Sequence, residues 1–193
     1  FSVVKTIQTN ASCNDVLFVR NSEYILVALG TARQAALYAW QDESPKPHPL
    51  LQFDVLQAAV HCCAQALDGQ VLATGSHDKA VRLWDTSRRC LRTICTSFPV
   101  FGVEFSPDCK SIAYVGWGKQ LWVHDVSTGN QLAHLPLTGN ALSIKFSVCS
   151  TSSLGYLGMV SCDDGSVVLF DTDSTASQFV NERRFDGVFP AAE

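Results

Sequence analysis

Apolar and polar residues alternate with a period of two in short stretches such as VRLWD (81–85) and LWVHD (121–125). In an extended chain successive side chains point to opposite faces, so this pattern predicts strands rather than helices. No stretch sustains the 3.6-residue apolar period of an amphipathic helix. Turn-forming pairs separate the apolar stretches: Asn21-Ser22, Asp68-Gly69, Pro107-Asp108 and Asp164-Gly165. Strands of about 5–6 residues joined by tight turns follow, and the expected class is all-β.

The pattern repeats. GSHDKAVRLWDTSRRCLRTI (75–94) runs in the order turn, alternating strand, Trp84-Asp85, polar gap, second strand. GWGKQLWVHDVSTGNQLAHL (116–135) keeps that order with His124-Asp125, CDDGSVVLFDTDSTASQFV (162–180) with Phe170-Asp171, and GTARQAALYAWQDE (30–43) with Trp40-Gln41. The markers at 40, 84, 124 and 170 are separated by 44, 40 and 46 residues. Ahead of each lies the same prelude of apolar stretch, turn and apolar stretch, as in VHCCAQALDGQVLATG (60–75) and GVEFSPDCKSIAYVG (102–116). Each unit therefore offers four short strands, with a period near the ~40–45 residues of one propeller blade.

LATGSHDKAVRLWD (72–85), FSPDCKSIAY (105–114) and SCDDGSVVLFD (161–171) resemble the WD-repeat family of β-propellers, and the likeness extends over residues 14–182. It implies four-stranded antiparallel blades set radially about a channel. The expected division is an outer strand of a preceding blade at 1–13, blades at 14–54, 55–95, 96–135 and 136–182, and a tail at 183–193. Val3–Ile7 resembles Leu91–Ile94 and is read as that preceding outer strand, while Phe179-Val180 is expected to supply the last one. Four blades are too few for the common ring, so 1–193 reads as the C-terminal part of a larger propeller. The family's hydrogen-bonded set of Trp, Ser/Thr, Asp and His is met here by Trp84, Thr74 and Asp78. The His is missing: the chain has Asp54-Val55, Thr96-Ser97 and Pro136-Leu137 where it would stand.

Composition narrows the function. Of 193 residues, 47% are hydrophobic and 17% charged, which suffices for a buried core. A net charge of −4 gives no overall attraction for nucleic acid or anionic lipid, so neither is expected as a partner. No apolar run approaches the ~20 residues of a membrane span, and FSVVKTIQTNASC lacks the regions of a signal peptide, so an intracellular, cytoplasmic or nuclear location is expected. Eight cysteines lie scattered without a CxxC pair, the pattern of buried thiols rather than of disulfides or zinc. The sequon Asn10-Ala11-Ser12 then carries no meaning.

No GxSxG, HExxH or GxxxxGK[ST] motif occurs, and no enzyme activity, small-molecule substrate or cofactor is expected. Trp84, with Trp40, His124 and Phe170 by position, reads as packing between blades, and Asp85, Asp125 and Asp171 as strand exits. His77-Asp78 sits in a turn where Asp78 is structural. The resemblance directs attention to the rim that carries the turns between second and third strands. That rim is expected to present Arg33, His77, Lys79, Trp117, Lys119 and Asp163, with Phe98 and Phe101 from the inter-blade loop. Trp117 is either a rigid interface anchor or folded over its own blade, and for Phe98 and Phe101 core or channel lining competes with contact. Arg82 and Trp122 are expected between blades, without function. Arg88-Arg89 read as a solvated pair on the opposite rim, and DESPKPHP (42–49) as a stiff spacer with a Ser44-Pro45 site. The leading expectation is a protein-interaction scaffold that binds a protein or peptide on this rim. The alternative, from a fainter likeness to splicing-associated U-box ubiquitin ligases, is a ligase's substrate-receiving propeller with catalysis in an upstream domain.

Overall fold

The computed structural model describes residues 2–9, 11–19, 23–42, 51–53, 58–87, 89–147, 156–172 and 182–186, with the backbone alone at 51–53, 171–172 and 182–186. Among these residues the chain is all-β, without a helix. None is therefore long and apolar enough to cross a membrane. Sixteen strands form four sheets of four, each in sequential order. The first sheet holds β1 (Cys13–Val19), β2 (Tyr24–Leu29), β3 (Gln34–Ala39) and β4 (Leu51–Phe53). The second holds β5 (Val60–Gln65), β6 (Val71–Ser76), β7 (Ala80–Asp85) and β8 (Cys90–Cys95). The third holds β9 (Val100–Phe105), β10 (Ser111–Gly116), β11 (Gln120–Asp125) and β12 (Gln131–Pro136). The fourth holds β13 (Ala141–Phe146), β14 (Tyr156–Cys162), β15 (Ser166–Thr172) and β16 (Glu182–Asp186). The chain divides into two compact units, Phe1–Val100 and Phe101–Glu193.

The sheets repeat one another down to their irregularities. Register shifts at Cys13/Asp15, Val60/Cys62 and Ala141/Ser143 fall at the start of the first strand in three sheets. A second kind falls just before the marker, at Leu83/Trp84 and Val123/His124. Such bulges raise local twist, which a short blade-like sheet needs.

In the first unit two sheets meet face to face. Leu26, Ala28, Ala35 and Leu37 from the first bury against Val60, Cys63, Leu72 and Trp84 from the second. In the second unit Val115, Leu121 and Val123 from the third sheet bury against Ile144, Val160, Val168 and Phe170 from the fourth. Inner and middle strands are thus apolar on the faces they bury, which explains their dense Val, Leu and Ile content. The two fourth strands whose side chains are described, Cys90–Cys95 and Gln131–Pro136, are more exposed, roughly at alternate residues.

Three expectations are corrected. Residues 2–9 form no strand, having no partner strand among the described residues; instead Ile7 rests on Val27, Leu29, Ala36 and Tyr38. The last outer strand is Glu182–Asp186, paired with Ser166–Phe170, so the fourth sheet runs past residue 182. Phe179-Val180 lies outside the described residues, as do Ser44-Pro45 and Arg88. An edge strand needs little apolar content and tolerates charge, so apolarity was the wrong guide there. Third, Trp40 stands one residue beyond β3, half-buried. The residue at Trp84's place is Tyr38, five beyond the turn residue Arg33 as Trp84 is five beyond Lys79.

Candidate functional site

Each second-to-third strand turn closes through one backbone geometry. Arg33 (φ +55°), Lys79 (φ +63°), Lys119 (φ +50°) and Gly165 (φ +85°) occupy the left-handed region at the same position of the four turns. Arg33, Lys79 and Gly165 donate N–H to the carbonyl three residues back at 3.2–3.3 Å. Glycine suits this conformation, whereas an L-residue with a bulky side chain is disfavoured by about 1–2 kcal/mol. Three of the four turns nevertheless place a cation there. Arg33, Lys79 and Lys119 are exposed, and none forms an ion pair among the described residues.

In the first unit His77 is exposed beside Lys79. Its ring meets that of His61 edge-on, with centroids 5.6 Å apart. His61, on β5, was not singled out by sequence; a histidine within the apolar VHCC was the available signal. Partial burial, and then the His77 ring, push the His61 pKa down. Asn14 on β1 donates to Val60 O at 2.7 Å and so ties the first sheet to the second. Asp15 does the same by accepting Cys63 N–H at 2.9 Å. Of the two readings of Phe98 the core one applies: it is only 5% exposed, its ring turned inward by the loop.

In the second unit Trp117 stacks on Phe101, centroids 5.0 Å apart and planes 24° apart, yet stays 54% exposed. Phe101 thus covers one face of the indole, while more than half of the residue's surface meets solvent. Asp163 is exposed but engaged, accepting the Asn140 backbone N–H at 2.8 Å and its side-chain amide at 2.9 Å. It holds the loop before β13 in place.

Trp84 is 1% exposed and donates Nε1–H to Thr74 Oγ1 at 3.0 Å. Its counterpart His124 reverses the polarity. His124 Nδ1–H reaches Gly129 O at 3.1 Å, so Nε2 accepts the Tyr114 hydroxyl at 3.0 Å. Phe170 needs no polar partner and is fully buried; opposite it stands Gly158, where a Cβ would clash with the Cζ tip of the Phe170 ring. Asp78 pairs with Arg82 at 2.8 Å, both side chains nearly buried. Asp85 accepts the Ser87 hydroxyl and the Ser87 and Arg89 N–H groups, and Asp125 the Ser127 and Thr128 hydroxyls and Thr128 N–H. These bonds, the serine hydroxyl first, hold both carboxyls below the usual range. Asp85 and Asp125 therefore shape the turns to their outer strands. The Asp171 side chain lies outside the described residues. Trp122 stacks on His134, centroids 5.0 Å apart, and its buried Nε1 has no hydrogen-bond partner among the described residues.

Repeated four-stranded sheets, buried marker aromatics and Asp-held turns coincide with a match of residues 51–85 to the family model "WD domain, G-beta repeat". The match starts in β4 and ends at Asp85, so one sequence repeat combines the outer strand of one sheet with the inner three of the next. The chain thus carries a WD repeat at residues 51–85 and is similar to WD-repeat proteins. Human WD repeat-containing protein 18 is 36% identical over 77 residues, covering 37% of this chain and 18% of that protein. Its mouse counterpart is 52% identical over 42 residues, 21% of this chain and 10% of that protein. The ribosome biogenesis protein BOP1 homolog of Anopheles gambiae is 30% identical over 98 residues, 46% of this chain and 11% of that protein. Each match takes in less than a fifth of the relative's own length. Among the described residues no three His, Cys, Asp or Glu side chains converge as a metal site requires.

Proposed function

We propose that this WD-repeat chain is a non-catalytic scaffold that receives a protein partner on the second-to-third strand turns, through Arg33, Lys79 and His77 on one unit and Trp117 and Lys119 on the other. One observation carries the reading: unpaired cations occupy left-handed turn positions where glycine or asparagine is more stable. A charge retained against backbone preference points to use at the surface. Trp117 adds what an interface anchor needs, an aromatic stacked on Phe101 and still 54% exposed. The name carried by one group of relatives makes a ribosome-assembly complex the first place to seek the partner. The scaffold is preferred over a ligase subunit because the observations behind it lie on the rim itself.

The test is comparative affinity capture of the full-length protein and its Trp117→Ala/Lys119→Ala variant, read by quantitative mass spectrometry. The variant should lose partners while unfolding within about 1 kcal/mol of the parent, the scale of one exposed aromatic stack. An unchanged partner set would remove the rim from the account.

A further inference from the structure

We propose that the hollow between the first and second sheets binds an oxyanion, the carboxylate or phosphate group of a side chain on an acidic partner segment. The proposal rests on the rim reading and gives that rim's first unit a partner chemistry.

Ser12, Asn14, Gly30, Thr31, Arg33 and His77 line the hollow. Its polar groups are oriented by bonds that can be followed one by one. Ser12 N–H donates to Thr31 Oγ1, and Thr31 N–H to Ser12 Oγ, both at 3.3 Å. Each hydroxyl is thereby used as an acceptor and keeps its own proton to give. The Asn14 amide cannot be flipped, because Val60 O requires its nitrogen at 2.7 Å. That same nitrogen lies 3.4 Å from His61 Nδ1, which must then be the unprotonated ring nitrogen. The His61 proton is on Nε2, facing His77 Nδ1 at 3.4 Å. His77 Nδ1 is then the acceptor of that proton. With the Arg33 guanidinium, the lining offers N–H and O–H donors in excess.

The nearby carboxylates are already engaged. Asp15 accepts Val16 N–H and Cys63 N–H, and Asp78 accepts Arg82. A cation is disfavoured by the same chain of bonds, since His61 and His77 can turn facing lone pairs to one metal only if His61 Nδ1 takes the proton and gives up the Asn14 amide hydrogen. Gly30 keeps the floor open, because a Cβ there would stand 2.6 Å from Ser12 Oγ and 2.8 Å from Asn14 Nδ2. The left-handed Arg33 supplies the forked donor that suits a carboxylate or phosphate.

The experiment uses the full-length protein and fluorescence anisotropy with three dye-labelled peptides: a glutamate-rich segment, the same segment with a central phosphoserine, and a lysine-rich control. Both acidic peptides should bind at least tenfold more tightly than the control, and inorganic phosphate should compete. Arg33→Gly and His77→Gln should each weaken acidic-peptide binding about tenfold, with Arg33→Gly folding at least as well as the parent because its backbone strain is relieved. Trp117→Ala, on the other unit, should leave it within twofold. Acidic peptides that bind no better than the control, or binding unchanged in Arg33→Gly, would overturn the oxyanion site. The rim reading stands in that case if Trp117→Ala/Lys119→Ala still loses partners in affinity capture, and falls with the site if it does not. A single-stranded oligouridylate that displaces the peptides and itself binds tenfold more tightly would overturn the partner class.

Discussion

Replacing Lys79 by glycine tests whether charge is kept at the turns against conformational preference. Lys79 sits at φ +63°, exposed and without an ion pair among the described residues, so the substitution removes no ion pair, and its carbonyl bond to Thr96 N–H remains available. Relief of the left-handed conformation contributes about 1–2 kcal/mol. The greater freedom of glycine in the unfolded chain takes back about 0.5–1 kcal/mol. The net expectation is a stabilisation of about 0.5–1 kcal/mol. For a domain of about 150–250 residues that raises Tm by roughly 1–4 °C. Lys79→Ala serves as control: it loses the same charge but keeps the strain, and should lie within about 0.5 kcal/mol of the parent. Differential scanning calorimetry with urea titration on the three proteins reads these differences. A glycine variant less stable than both parent and alanine variant would refute the reasoning, because Lys79 would then be stabilising the fold rather than spending stability on a surface role.

The Trp84–Thr74 bond gives a second expectation: Thr74→Val leaves the buried Nε1 unsatisfied and should cost about 1–3 kcal/mol, whereas Trp84→Phe in the Thr74→Val background should cost less than in the parent, a coupling that a double-mutant cycle in urea measures. Gly158→Ala should destabilise by about 1–3 kcal/mol through overpacking, and Phe170→Leu should recover part of that loss in the same denaturation assay. Acid titration of stability should show two windows. Asp164, held to about 2 by the Ser166 hydroxyl and then by Thr138, stabilises the fold fully above 3.8 and loses that contribution as pH falls toward 2. His61 is kept neutral in the fold, so its contribution is present above 6.5 and declines as pH drops below it; His61→Gln should flatten that higher window and leave the lower one unchanged.

Period-two alternation and the recurring turn chemistry made the strand order readable, because both are properties of single residues at fixed spacing. The sheets centred on Trp84 and His124 follow the sequence reading closely, since Asp68-Gly69 and Pro107-Asp108 specify their turns. Trp40 misled because the pattern was matched by residue type; its counterpart Tyr38 is found only by counting from the left-handed residue, which requires the backbone. Glu182–Asp186 was missed because an outer strand is recruited by pairing with β15 rather than by its own apolar content. At the rim, Arg33, Lys79, Lys119 and Trp117 were legible as turn residues. For Phe98 the usual burial of Phe favoured the core over contact, and the loop's path then set the direction of its ring. The Asn14–His61–His77 chain was hidden for another reason: its members lie 46 or more residues apart across two sheets, or 16 apart within one, and no spacing rule joins them.

The central claim, that the second-to-third strand turns are the receiving surface, is tested most directly by site-specific photo-crosslinking in the full-length protein. A photoreactive residue at 117 is compared with one at Thr128, which is equally a turn position of the third blade but lies at the opposite end of β11. The account predicts a discrete crosslinked partner from position 117 that is absent from position 128 and lost when Lys119 is replaced by alanine. Crosslinking from position 128 alone would contradict it.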